Sequence, residues 1–132
     1  MKEALQYVEY IKPSWAPPSW LFGPVWSVLY AIIAVTFTSV FYKVATREIP
    51  FVVGIPFVLN LVFNFAFTPL QFGLRSNLLA AIDIFLVLIT LVVALGMVHK
   101  YLPWVTHANI PYLLWVCFAT VLQTTILFLN WK

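Results

Sequence analysis

Residues 12–30 read KPSWAPPSWLFGPVWSVLY, and the way this stretch runs straight into a long apolar segment decides how the rest of the chain is read. It holds four prolines and three tryptophans. Each proline fixes φ and removes a backbone donor, so Pro17-Pro18 cannot continue a helix. The pattern predicts a stiff extended loop over residues 12–20 that stops at the mouth of a helix beginning near Leu21. Trp15, Trp20 and Trp26 are amphipathic rings of the kind that favour a membrane–water boundary. They admit two readings: an interfacial aromatic belt, or a rigid aromatic lid over a cavity between helices.

Composition places the chain in a membrane. Of 132 residues, 64% are hydrophobic and only 8% are charged, and the mean hydropathy is +1.00. A soluble domain carries about a quarter charged residues, so water could not cover this surface. The expectation is a single-domain, multi-pass integral membrane protein with the lipid bilayer as its first partner. A net charge of +3 without a basic stripe excludes nucleic-acid binding. Cys117 stands alone, so no intramolecular disulfide or cysteine-based metal site is expected, and it reads as an inert packed thiol. The opening Met1-Lys2-Glu3-Ala4 lacks the apolar core and cleavage site of a signal peptide.

A bilayer core of roughly 30 Å requires about 20 apolar residues per helix. Four stretches meet this: Leu21–Tyr42, Phe51–Phe72, Leu78–Val98 and Pro111–Leu129. Pro24 is tolerated in the opening turn of the first. Residues 1–11 are too polar to span and are read as a stub, with Leu5, Val8 and Ile11 partly on one side. Lys43–Pro50, Gly73–Asn77 and His99–Ile110 are connections. Four cations (Lys2, Lys12, Arg75, Lys132) fall on one side and three (Lys43, Arg47, Lys100) on the other. That balance is too even to orient the bundle.

Polar residues inside the spans are the first functional candidates. Asn60, Asn64, Thr68 and Gln71 recur at spacings that put them on one helical face, which should turn inward. They read either as interhelical ties or as the wall of a polar cavity. Asp83 lies about five residues, roughly 8 Å, into the third span and is expected to face inward. A ligand or proton site and a polar tie are both open for it. On the last span Trp115, Ala119, Leu122 and Ile126 share a face, with Tyr112 one turn earlier. A large ring beside a small residue either leaves room for a flat ligand or lets helices pack closely. Gln123, Thr120 and Thr124 supply further polar groups there. His99 and His107 sit in a loop and read as solvated rather than as metal or haem-iron ligands. No hydrolase, phosphate-loop or metalloprotease pattern is present.

Three stretches in order carry a family resemblance. The first is Lys12–Tyr30. The second is Asn64-Phe65-Ala66-Phe67-Thr68-Pro69-Leu70-Gln71-Phe72-Gly73. The third is Pro111-Tyr112-Leu113-Leu114-Trp115 with Phe118-Ala119-Thr120 and Leu122. Together they closely resemble the signature of the TspO/MBR family, the tryptophan-rich sensory proteins, called translocator proteins in animals; Ala80 and Asp83 match its Ala-x-x-Asp element. The similarity covers roughly residues 12–130.

The resemblance implies an all-α membrane bundle that binds tetrapyrroles such as protoporphyrin IX and haem, and often related apolar ligands of cholesterol or benzodiazepine type, with no required cofactor and no metal site. By motif position the ligand residues are Trp15, Trp26, Asn64, Phe67, Asp83, Trp115, Ala119 and Leu122. The family has five membrane helices, so this chain is expected to show four full spans, with residues 1–11 in place of the first. Phe67 stands where the family has tryptophan, Gln71 where it has Phe and Gln123 where it has Asn. Thr124 replaces the tyrosine of the animal proteins' cholesterol motif, which argues against that route of recognition.

The leading expectation is therefore a porphyrin-binding membrane protein used in sensing, transport or scavenging. One alternative is a light-dependent porphyrin-degrading enzyme acting through Trp26 and Trp115. The other is a small proton-coupled transporter using Asp83. The resemblance also raises homodimerisation, for which no clear Gly-x-x-x-Gly pair is present.

Overall fold

The computed structural model describes residues 19–70, 74 and 76–129. The stub at residues 1–11, Trp15 and most of the proline-rich loop lie outside them, as does Gln71. All regular structure among the described residues is helical. After a 3-10 turn at Ser19–Leu21 come α1 (Phe22–Ala45), α2 (Phe51–Thr68), α3 (Asn77–Val98), α4 (Pro103–Ala108) and α5 (Ile110–Leu129).

Three of these, α1, α3 and α5, are long and apolar enough to cross a membrane, and α2 is a somewhat shorter apolar helix. At 1.5 Å per residue the 18 residues of α2 reach about 27 Å, close to the bilayer core. The protein is thus an integral multi-pass membrane protein. Its outer faces carry Val58, Val62, Ile82, Phe85, Val92 and Val121, all exposed, as lipid solvation allows.

The helix ends have local causes. Lys43 extends α1 past Tyr42 because its ammonium reaches Glu48 at 3.1 Å in the loop. The helix closes with Arg47 at φ 64°, where the Glu48 N–H donates to the Lys43 carbonyl and the Arg47 N–H to that of Val44. This is the Schellman arrangement, with arginine in the place that glycine usually fills. The second span was expected to run to Phe72; its α-helix ends at Thr68, a π turn covers Pro69 and Leu70, and residues 71–73 lie outside those described. The Leu74 N–H donates to the Pro69 carbonyl. The Ser76 hydroxyl caps α3 by accepting from the Leu79 N–H at 3.0 Å.

The short helix α4 lies where a plain connection was expected. Pro103 starts it, buried Val105 anchors it, and the Thr106 hydroxyl donates to the Leu95 carbonyl at 3.1 Å. At its end Asn109 is fully buried and donates to the Thr36 hydroxyl on α1 at 3.0 Å.

Helix α3 is the centre of the bundle and packs along both α2 and α5. Its inward stripe of Ala80, Ile84, Val87, Leu91, Ala94 and Val98 is buried throughout. Helix α1 adds Leu29, Ile33, Phe37 and Val40 to the same core. Cys117 corrects the sequence reading: it is exposed rather than packed. It falls on the outer side of α5 with Leu114 and Val121, away from Tyr112 and Val116.

Candidate functional site

Asn60 and Asn64 of the expected polar face of α2 do turn inward and meet residues from every other long helix; the Thr68 side chain and Gln71 lie outside what is described. The Asn60 amide donates from Nδ2 to the Val87 carbonyl at 3.0 Å and to the Thr90 hydroxyl at 3.3 Å, both on α3. The Tyr112 hydroxyl, at the start of α5, donates to Asn60 Oδ1 at 2.9 Å. One turn along α2, Asn64 Nδ2 donates to the Tyr112 oxygen at 2.8 Å. The Tyr30 hydroxyl on α1 donates to Asn64 Oδ1 at 3.2 Å. Asn60 and Tyr112 are fully buried and Asn64 nearly so. In lipid such amides need protein partners, and here each finds one.

Aromatic rings cover this network. Trp26 lies against Tyr30, with centroids 5.3 Å apart, and meets Tyr112 edge-on at 6.5 Å. Tyr30 also packs beside Phe65 at 6.3 Å. A second group gathers at Trp115, whose ring contacts Phe22 at 5.9 Å and Phe118 at 5.5 Å. Trp26 and Trp115 are both half-buried against the core.

Between the two antiparallel helices α1 and α5 runs a groove of about 530 Å³, lined by Pro24, Val25, Val28, Leu114, Trp115 and Phe118 among others. Among the described residues no charged side chain lines it. On the other side of α1, against α2, runs a second groove of about 410 Å³.

The residues singled out from the sequence separate into distinct places. Asn64 sits in the polar network, bonded to the two phenols that Trp26 packs against, and Trp115 lines the α1–α5 groove. Ala119 and Phe67 pack against the main core, while Leu122 joins a small cluster with Ile126, Phe22 and Phe118. Asp83 is only 4% exposed and points inward, and its Oδ2 has no hydrogen-bond partner among the described residues. Gln123, on α5, donates to the Asn77 carbonyl at 3.3 Å. Trp15 lies outside the described residues.

His99 and His107 are exposed and face one another at 5.7 Å between ring centroids. Among the described residues no three His, Cys, Asp or Glu side chains gather as a metal site would require.

Two participants were not among the candidate ligand residues. Tyr30 and Tyr112 are the phenols that join α1 and α5 to the amides of α2. Tyr30 follows Trp26 by four residues, so a shared helical face with that ring was readable. Tyr112 was readable as one turn before Trp115.

The TspO/MBR family model matches residues 2–129 of this chain. Tryptophan-rich protein TspO of Chlorobaculum tepidum is 33% identical over 124 residues, covering 94% of this chain and 78% of that protein. Tryptophan-rich protein TspO of Bacillus cereus is 36% identical over 122 residues, covering 90% and 76%. The human translocator protein is 31% identical over 114 residues, covering 85% and 67%.

Proposed function

This chain belongs to the TspO/MBR family, and we propose that it binds tetrapyrroles, protoporphyrin IX or haem, in the groove between α1 and α5. The observation that supports the reading is the Trp115 ring on the wall of an apolar groove of about 530 Å³. That volume lies within the range of small-molecule sites, roughly 300–1,000 Å³. Trp115 and Phe118 offer ring surface on one side, and Pro24, Val25 and Val28 a flat aliphatic surface on the other.

An uncharged lining has a chemical consequence. A carboxylate carried into it would lose hydration without gaining a partner. The bound porphyrin therefore presents its macrocycle to the groove and keeps its propionates outside. Behind the groove the hydrogen-bonded set Tyr30–Asn64–Tyr112–Asn60 holds Trp26 and the start of α5 in place, so the site rests on a tied scaffold.

The test is a titration of protoporphyrin IX into detergent-purified protein, followed through tryptophan quenching and the porphyrin absorption band. Saturable binding is expected, with Trp115→Ala about tenfold weaker, the upper worth of one aromatic contact. Val28→Trp, which fills the groove from the α1 side, should weaken binding further. No saturable binding, or equal affinity in all three proteins, would remove the proposal.

A further inference from the structure

We propose that the second groove, between α1 and α2, is a separate binding site for a compact apolar molecule carrying one hydrogen-bond donor, a hydroxyl or an N–H. It lies on the other side of α1 from the tetrapyrrole groove and shares no lining residue with it. Tyr30, Ala34, Thr38 and Phe41 form its α1 wall, and Leu61 and Phe65 its α2 wall. Shape alone would not say what enters; the direction of the buried hydrogen bonds does.

That direction is set at the far end of the network. The Val87 carbonyl can only accept, so Asn60 must turn its Nδ2 toward it at 3.0 Å. The Thr90 hydroxyl agrees, because its own proton goes to main-chain carbonyls of α3. Asn60 Oδ1 is then the atom left for Tyr112, whose hydroxyl must donate to it. Having spent its single proton, the Tyr112 oxygen can only accept, which fixes Asn64 Nδ2 against it at 2.8 Å. Asn64 Oδ1 therefore faces Tyr30, and the Tyr30 hydroxyl donates inward.

Each choice forces the next. Tyr30 is 42% exposed and lines the groove, yet it has no proton to offer there. Its phenol oxygen keeps only acceptor capacity. A ligand that merely accepts would meet an acceptor, whereas one that donates completes the chain.

Lipid tails carry no donor and leave this capacity unused. In apolar surroundings a hydrogen bond regained counts for more than in water. Thr38 supplies the other hydroxyl on the wall, about 12 Å along the helix. Substituting Tyr30 therefore separates the two.

The experiment compares 2-naphthol with 2-methoxynaphthalene, which share a ring system and differ in the donor. Equilibrium binding is measured on the full chain in detergent, with partition into empty micelles subtracted. Wild type is expected to bind the naphthol about fivefold more tightly, the worth of one ordinary hydrogen bond. Tyr30→Phe should erase the difference between the two compounds. Ala34→Leu fills the groove without touching the network, and should weaken both ligands. Equal affinity for the two compounds in wild type overturns the proposal. So does a donor preference that survives Tyr30→Phe, or naphthol binding untouched by Ala34→Leu. Should Tyr30→Phe fail to fold, Thr38→Val decides the question: the donor preference should survive it, and a preference lost with Thr38 overturns the proposal.

Discussion

Helix α2 packs along α3, with Val53, Phe57 and Asn60 all buried and the Asn60 amide bonded directly to α3 main chain. Along α1 the packing is different. Its buried residues, Leu29, Ile33, Thr36, Phe37 and Val40, form one face, and to either side of that face the surface opens into a groove. Both regions are apolar, with mean hydropathy 2.9 in α3 against 1.8 in α1, and neither value by itself opens a groove. What separates them is width of contact. Helix α3 offers small and branched side chains on two flanks and is held from both sides. Helix α1 offers one face, which joins the core through residues such as Phe37 and is tied by hydrogen bonds from Tyr30 to Asn64 and between Asn109 and Thr36. The closed region serves as scaffold and the loosely flanked helix borders both grooves.

The sharpest way to break this comparison is to remove the same side chain from each region. Phe57 is fully buried and meets Phe37 edge-on at 4.8 Å. Phe57→Ala should cost about 2–3 kcal/mol, toward the low end for buried aromatics because lipid, unlike water, accepts the freed surfaces. Phe65, on the same helix but 62% exposed at the groove, should cost less than about 0.5 kcal/mol when changed to Ala. Reversible unfolding in mixed micelles gives both values. Similar costs would mean that the groove wall is as much a part of the core as the α2–α3 seam.

A smaller effect tests the polar tie between the two regions. Tyr112→Phe keeps the ring but leaves Asn60 Oδ1 and one Asn64 proton without their partner. The expected loss is about 1–2 kcal/mol, near the top of the range measured for hydrogen bonds between membrane helices. The same unfolding assay applies. A loss below about 0.3 kcal/mol would show that the amides re-pair elsewhere, and the argument for a one-way proton order would fall with it.

How far the sequence carried the reading depends on what each feature needs in order to be seen. Long apolar runs announce the spans, because a bilayer demands length and composition that single residues can report. The inward face of α2 was legible from the four-residue step between Asn60 and Asn64. Their partners were not, since no spacing within one helix says which neighbour will stand opposite. Helix α4 was invisible for a related reason. Six residues make too short a pattern, and what holds them is Thr106 reaching Leu95 and Val105 entering the core. Cys117 misled because a small apolar residue fits either side of a helix whose every face is hydrophobic. The ordered motifs identified the family and pointed to Trp26, Asn64 and Trp115. They could not show that Asn64 and Trp115 would take separate places, one in the network and the other on the α1–α5 groove.

The smallest expected effect lies at the end of α1, outside the apolar core, where packing is absent and charge alone acts. The Thr46 hydroxyl donates to Glu48 at 2.9 Å and the Lys43 ammonium donates at 3.1 Å. The Thr46 bond first, then Lys43 by hydrogen bond and charge, holds the Glu48 carboxyl below its ordinary value of 4.5. A carboxyl depressed in the folded state binds its proton more readily once unfolded. Its contribution is therefore present in full above the unfolded value, and is lost as pH falls through the folded one. Exposure and salt screening keep it slight. Wild type and Glu48→Gln should accordingly differ a little at pH 7 and converge below pH 4.5, with the difference at pH 7 shrinking as salt is added. A difference that persisted in acid would mean that Glu48 holds the Arg47 turn by shape rather than by charge. The end of α1 would then belong with the packed scaffold rather than with the polar ties.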